Sequence, residues 1–212
     1  MPIPPLFSPR RARLLRLSVA AVLVSVLGLA GVSSQAMAVD FDTSAHQTHQ
    51  DWQTLIATLG DESHVRAVQR TSYSDAMLSV NATPGHCRMP WIEVRSDLGQ
   101  RQAVSEVVNR VPIDLLVDEQ RAQTGTAVLS TQRGDDGLYV RVNGIDMDLL
   151  ASRLATGEQL HLRLRMTPDT SDYWFMSFSL NGAFTAWQRM QTLCTASRSG
   201  SNSRGNIKVR AS

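Results

Sequence analysis

Few residues of this chain have types and spacings suited to chemistry. Two cysteines, Cys87 and Cys194, are all the sulfhydryl chemistry available. No Cys-x-x-Cys exists and no activating partner is evident, so a redox or nucleophilic thiol lacks support. His161, Arg163 and Arg165 alternate along one stretch, and Arg141 extends them into a basic stripe. Guanidinium groups so placed suit an anionic glycan, a lipid headgroup or an acidic protein. The competing reading is the solvent face of an amphipathic strand. His46 and His49, with Asp40, Asp42 and Asp51 nearby, have a spacing acceptable for a metal. They fall in a polar segment, where solvated side chains are the simpler account. Glu93 and Asp97 near Trp91 suggest carboxylates beside an aromatic platform, as in a glycan hydrolase. The simpler account is an exposed strand face on which Glu93 neighbours Arg95.

Several chemistries are absent in sequence. There is no Gly-x-Ser-x-Gly, His-Glu-x-x-His, phosphate loop or dinucleotide fingerprint. Lys208 is the only lysine beside 20 arginines, which removes lysine-based catalysis from the body of the chain. Neither catalytic nor cofactor-binding nor metal-binding residues are assigned.

The N-terminus says where the chain works. Arg10, Arg11, Arg13 and Arg16 precede an apolar run from Leu17 to Val32, and Ala36-Met37-Ala38 follows. This is the layout of a signal peptide over residues 1–38, cleaved after Ala38. The 16-residue apolar run is short for a spanning helix of about 20 residues. The expected location is therefore periplasmic or secreted, with no transmembrane segment after cleavage. In such a compartment two cysteines pair, so Cys87–Cys194 is the expected disulfide. Removing the signal also removes the apparent basicity. The whole chain carries +2, but residues 39–195 hold thirteen basic groups against nineteen acidic. The last 17 residues add four positive charges and no acid. Nucleic-acid binding is not indicated.

The elements that must position these residues follow from periodicity. Trp52, Leu55, Ile56 and Leu59 recur at helical spacing, which predicts a short helix over Gln50–Leu59 stopped by Gly60. Beyond it the period becomes two. Strands are expected over 64–71, 76–82, 91–96, 111–117, 126–133, 138–142, 159–166 and 173–180. Gly134-Asp135-Asp136-Gly137 forms a hairpin turn. A short helix is expected over 145–156, capped by Asp146 or Asp148, and a last helix over Ala183–Cys194. The last helix is expected to bury Phe184, Trp187, Met190 and Cys194. The fold class is mainly β: an antiparallel β-sandwich or partly open barrel, with a short N-terminal helix and a C-terminal helix packed on it. The organisation is signal peptide 1–38, N-terminal segment 39–62, β-rich domain 63–195 and disordered basic tail 196–212.

Phe178-Ser179-Leu180-Asn181-Gly182, followed by a short helix and a cysteine twelve residues after the glycine, resembles the closing motif of periplasmic accessory proteins of the type VI secretion VasI kind. Cys87 just before a strand fits the same pattern. Leu149, Leu154, Gly157 and the alternating Leu160–Leu164 stretch further resemble the invasion-associated locus B group. Ala183 stands inserted before Phe184-Thr185, and the extra cysteines of those families are missing. The resemblance implies an exported, disulfide-stapled, non-enzymatic accessory or binding protein of the cell envelope, with an envelope protein as partner. The alternatives are an envelope hydrolase acting on wall glycan, or a periplasmic inhibitor using the Gly134–Gly137 turn as its plug.

Overall fold

A computed structural model describes residues 41–69, 76–165 and 173–204, with side chains to residue 197. The expected signal peptide and the end of the basic tail lie outside the described residues. Ten antiparallel strands follow in chain order: β1 (Asp42–His49), β2 (Trp52–Leu59), β3 (Glu62–Gln69), β4 (Ala76–Ala82), β5 (Trp91–Asp97), β6 (Glu106–Val117), β7 (Gln123–Thr131), β8 (Gly137–Asn143), β9 (Gln159–Arg165) and β10 (Tyr173–Ser179). Helix α1 (Met147–Leu154) lies between β8 and β9, and α2 (Ala183–Arg204) follows β10. The sheet order is β1-β2-β3-β4-β5-β8-β7-β6-β9-β10. The expectation of a mainly β fold with a C-terminal helix packed on the sheet is met.

The sheet is not closed by a β1–β10 ladder, yet its two ends meet at one rim. Asp51 N donates to Asn181 O at 3.2 Å. Trp52 Nε1 donates to Ser179 O at 2.9 Å. Ser179 Oγ donates to Asp51 Oδ2 at 2.6 Å. Gly182 sits at this seam with φ +89°, and a side chain there would run into the His49 carbonyl. Only glycine satisfies both demands without strain.

The short N-terminal helix is not formed. Residues 42–59 are instead a hairpin, β1 with β2. The i, i+3, i+4, i+7 spacing competes there with Thr54, Ile56 and Thr58, branched residues at every second position that favour a strand. Trp52, Thr54 and Ala57 are buried, whereas Leu59 is exposed. Gln50, at φ 55°, turns the first hairpin, and Gly60, at φ 57°, turns the next one rather than ending a helix.

One face of the sheet carries the core. Leu78, Val80, Ile92, Val94, Ile113, Leu115, Val140, Leu162, Leu164, Met176 and Phe178 are all buried there. Each contributes roughly 1.5–3 kcal/mol by leaving water. Helix α2 covers this core and packs on β1 to β4. Its buried stripe is Ala183, Ala186, Met190 and Cys194. Phe184 points outward and Trp187 is only partly buried, so the small alanines let the helix lie close. The helix runs to Arg204, ten residues beyond its expected end. Helix α1 is capped by Asp146, whose side chain accepts from the backbone of Asp148 and Leu149, and buries Leu150 and Leu154.

Candidate functional site

The disulfide forms as expected between Cys87 and Cys194, whose Cα atoms are 5.8 Å apart. It ties the loop after β4 to α2, and Cys194 is fully buried. The link holds the helix over the strands that would otherwise lose their cover.

The face of the sheet opposite the core carries the basic residues. Asp114 on β6 is its organising group. It interrupts an apolar run, Val-Pro-Ile-Asp-Leu-Leu-Val, and alternation turns it away from the core. It is 8% exposed. Strand β9 places Arg163 directly opposite it. Arg163 donates to Asp114 Oδ2 from Nε at 3.0 Å and from Nη2 at 2.6 Å. Thr124 Oγ1 donates to Oδ1 at 2.9 Å, and Arg165 Nη2 reaches Oδ1 at 3.4 Å. Burial opposes ionisation of Asp114. The hydrogen bonds from Arg163 and Thr124 and the charges of both arginines prevail and hold its carboxyl below the usual carboxylate range. Two guanidinium groups thus share one carboxylate, and the cluster keeps a net positive charge.

Strand β10 adds aromatic rings to the same face. Phe175 lies opposite Arg163, and Tyr173 opposite Arg165. Both rings are 51% exposed. His161 stacks on Phe175 with centroids 5.3 Å apart. His161 Nδ1 and Arg165 Nε are buried without a hydrogen-bond partner.

Arg141 lies further along this face, on β8. Its guanidinium sits 4.7 Å from the Trp91 ring centroid, a cation–π contact. Trp91 also meets His64 edge-on at 5.4 Å, and its Nε1 is buried without a partner. Arg141 faces Val128, which in turn faces Arg110 on β6. Arg110 therefore shares the face with Asp114, four residues along the same strand, about 13 Å away at strand rise. A diagonal of Arg141, Arg110, Arg165 and Arg163 results. The four residues expected on a binding face are thus on one side of one sheet. Arg110, Tyr173 and Phe175 are additions to that set. Their signal was present in the alternation of β6 and β10.

The remaining candidates are used structurally. Glu93 pairs with Arg66 at 3.0 Å rather than with Arg95. Asp97 accepts from Gly99 N in a local turn at 2.7 Å. Arg95 instead holds the Gly134–Gly137 turn: it pairs with Asp135 at 2.9 Å and with Asp136. Tyr139 donates to Asp135 Oδ2 at 2.6 Å, and Gly137 N donates to Oδ1 at 2.7 Å. Burial works against the Asp135 charge, but bonds from Tyr139, Arg95 and Gly137 N bring its pKa down to about 2. Burial and the Asp135 carboxylate together push Tyr139 up to about 12. This turn is pinned to the sheet by Arg95 and Tyr139, a geometry suited to stability rather than to a plug that must adapt to a cleft.

His46 and His49 do not converge. His46 bonds Thr43 on the exposed strand, whereas His49 turns inward to Thr54 Oγ1 at 3.2 Å. Among the described residues no group of three His, Cys, Asp or Glu is placed to hold a metal ion. Among the described residues no helix is long and apolar enough to cross a membrane.

No family model matches this chain, and no curated protein matches it. Among solved structures the chain is similar to the crystal structure of invasion associated protein B from Bartonella henselae. The two share 18% sequence identity, the likeness covers 71% of this chain and 98% of that one, and the TM-score is 0.46. The chain thus bears a weak resemblance to proteins of the invasion associated protein B type.

Proposed function

We propose that this chain is exported, loses residues 1–38, and serves in the cell envelope as a non-enzymatic accessory protein. It works by binding, and its binding surface is the arginine-bearing face of the sheet. The observation that carries this reading is the pairing of its only two cysteines, Cys194 buried and Cys87 half-buried, into one staple. Such a bond persists in an oxidising compartment and not in a reducing cytosol. The basic n-region, apolar run and Ala-Met-Ala of residues 10–38 support the same location. The binding reading is supported by what the charged side chains do. Glu93, Asp135 and Asp136 are each held by an arginine, whereas Arg141, Arg163 and Arg165 offer surplus positive charge on an open face. Opposite charge on a partner is the complement of such a face. The partner expected for such a face is an acidic component of the envelope.

Intact-mass analysis of the native protein after cell fractionation tests the location. The expected species is an envelope-fraction chain beginning at Val39, with no alkylatable thiol. A cytoplasmic chain retaining residues 1–38 with two free thiols would overturn the reading.

A further inference from the structure

We infer that the diagonal of Arg141, Arg110, Arg165 and Arg163 is a site for an acidic, carboxylate-bearing polysaccharide, with Phe175 and Tyr173 as platforms for its sugar rings. This rests on the reading that the outer face binds, and not on the identity or location of any protein partner.

Four observations carry it. First, the positive charge is surplus. Asp114 is shared by Arg163 and Arg165, and Arg141 rests on the Trp91 ring while its cross-strand neighbour Glu93 is taken by Arg66. The Arg110 guanidinium makes no hydrogen bond among the described residues. Second, a donor is left over. Arg165 Nε has no partner, and Arg165 holds Asp114 only at 3.4 Å. Arg165 therefore loses little by turning outward to a carboxylate, and it gains the two parallel bonds that a guanidinium makes best. Third, half-exposed rings lie beside the charges. Phe175 and Tyr173 are the cross-strand neighbours of Arg163 and Arg165. An aromatic face beside a guanidinium suits a ligand that carries both an apolar ring face and an anion.

Fourth, the main chain is unavailable at Arg141 and Arg163, whereas β6 at Arg110 and the edge strand β10 are each paired on one side. Arg141 lies on β8, paired on both sides by β5 and β7. Arg163 lies on β9, paired on both sides by β6 and β10. An acidic peptide laid across these strands gains no backbone ladder, which is the usual source of affinity for an extended peptide on a sheet. Recognition at Arg141 and Arg163 is by side chains alone. A polymer that repeats a carboxylate and a ring along its length fits a line of charge that crosses three strand spacings, about 14 Å, and runs about 13 Å along the strands.

The test is equilibrium binding of the folded protein to three polymers of matched length at about 150 mM salt: a uronic acid polymer, neutral dextran and poly-glutamate. The expected result is binding to the uronic acid polymer and none to dextran. The double variant Arg110→Gln/Arg141→Gln should bind about tenfold more weakly, a few-fold for each exposed pair lost. Arg133→Gln, in the β7–β8 turn, should bind as the parent does. Asp114→Asn removes the acid from the diagonal and should bind more tightly, a gain that misfolding cannot mimic. Poly-glutamate bound as well as the uronic acid polymer would overturn the inference in favour of an acidic polypeptide. No binding, or binding unaltered by the double variant, would overturn it outright. None of these readouts depends on where the cell places the protein, so failure of the export reading remains distinguishable.

Discussion

Removing the staple should cost this protein much of its stability. The bond closes a loop between positions 107 apart in sequence. In the chain-entropy treatment a loop of that length restricts the unfolded state by about 4.8 kcal/mol at 25 °C, near the top of the usual range for disulfides. For a domain of this size each kcal/mol moves Tm by about 2–4 °C, so Cys87→Ala/Cys194→Ala should melt roughly 10–19 °C lower. Cys194 is fully buried and packs in the same stripe as Met190, so its truncation adds a small cavity cost on top. Thermal melts followed by circular dichroism, with urea unfolding in parallel, give the number. Melts of the unmutated protein with and without reductant separate the bond from the side-chain truncation. The loss should also fall first on α2, because the helix is held over β2 to β4 by this link. Hydrogen exchange should therefore accelerate in α2 before it accelerates in β6 to β9. A destabilisation below about 1 kcal/mol, or uniform acceleration across the sheet, would refute the claim that the bond holds the helix over the sheet.

Three further outcomes follow from named contacts. Gly182→Ala should destabilise by about 2 kcal/mol or more, since φ is +89° and the His49 carbonyl occupies the space a side chain needs. Chemical denaturation measures it, and a neutral effect would mean that the seam between β1 and α2 is loose. Asp114→Ala should cost about 2–3 kcal/mol, because Thr124 loses its acceptor and two guanidinium groups lose their shared counter-ion. His49 is buried, and burial followed by the nearby Arg189 charge lowers its pKa in the fold below 6.5. The unfolded chain therefore takes up the proton first, and stability falls as pH drops below about 6.5 toward the folded value. Urea midpoints at pH 7.5 and 5.5 should differ less for His49→Gln than for the parent, and an equal difference would contradict this.

Much of the sheet was legible because period-two alternation with one apolar face leaves little choice of register. Leu160, Leu162 and Leu164 had to face in, and so Arg163 and Arg165 had to face out. The β1–β2 hairpin was not legible. Trp52, Leu55, Ile56 and Leu59 satisfy a helical stripe, the branched Thr54, Ile56 and Thr58 favour a strand, and pairing with β1 and β3 decides between them. Met190 and Cys194 face in as the sequence implies, but in the first turns of α2 the inward positions are Ala183 and Ala186 rather than Phe184 and Trp187, because the alanines make the close contact with the sheet. The staple followed from cysteine count and compartment alone. Asp114 escaped notice for a physical reason: inside an apolar run it looks like part of the core. Its partners Arg163 and Arg165 lie 49 and 51 residues away. Only the β6–β9 ladder brings them together.

In the proposed function an exported form of this chain binds through the arginine-bearing face. The most direct measurement is a crosslinked pull-down from envelope extract by the mature chain, residues 39–212, run in parallel with Arg110→Gln/Arg141→Gln and with Arg133→Gln. The expected result is specific retention of envelope material by the parent and by Arg133→Gln, and its loss with the double variant. Equal retention by all three, or no retention by any, would contradict it.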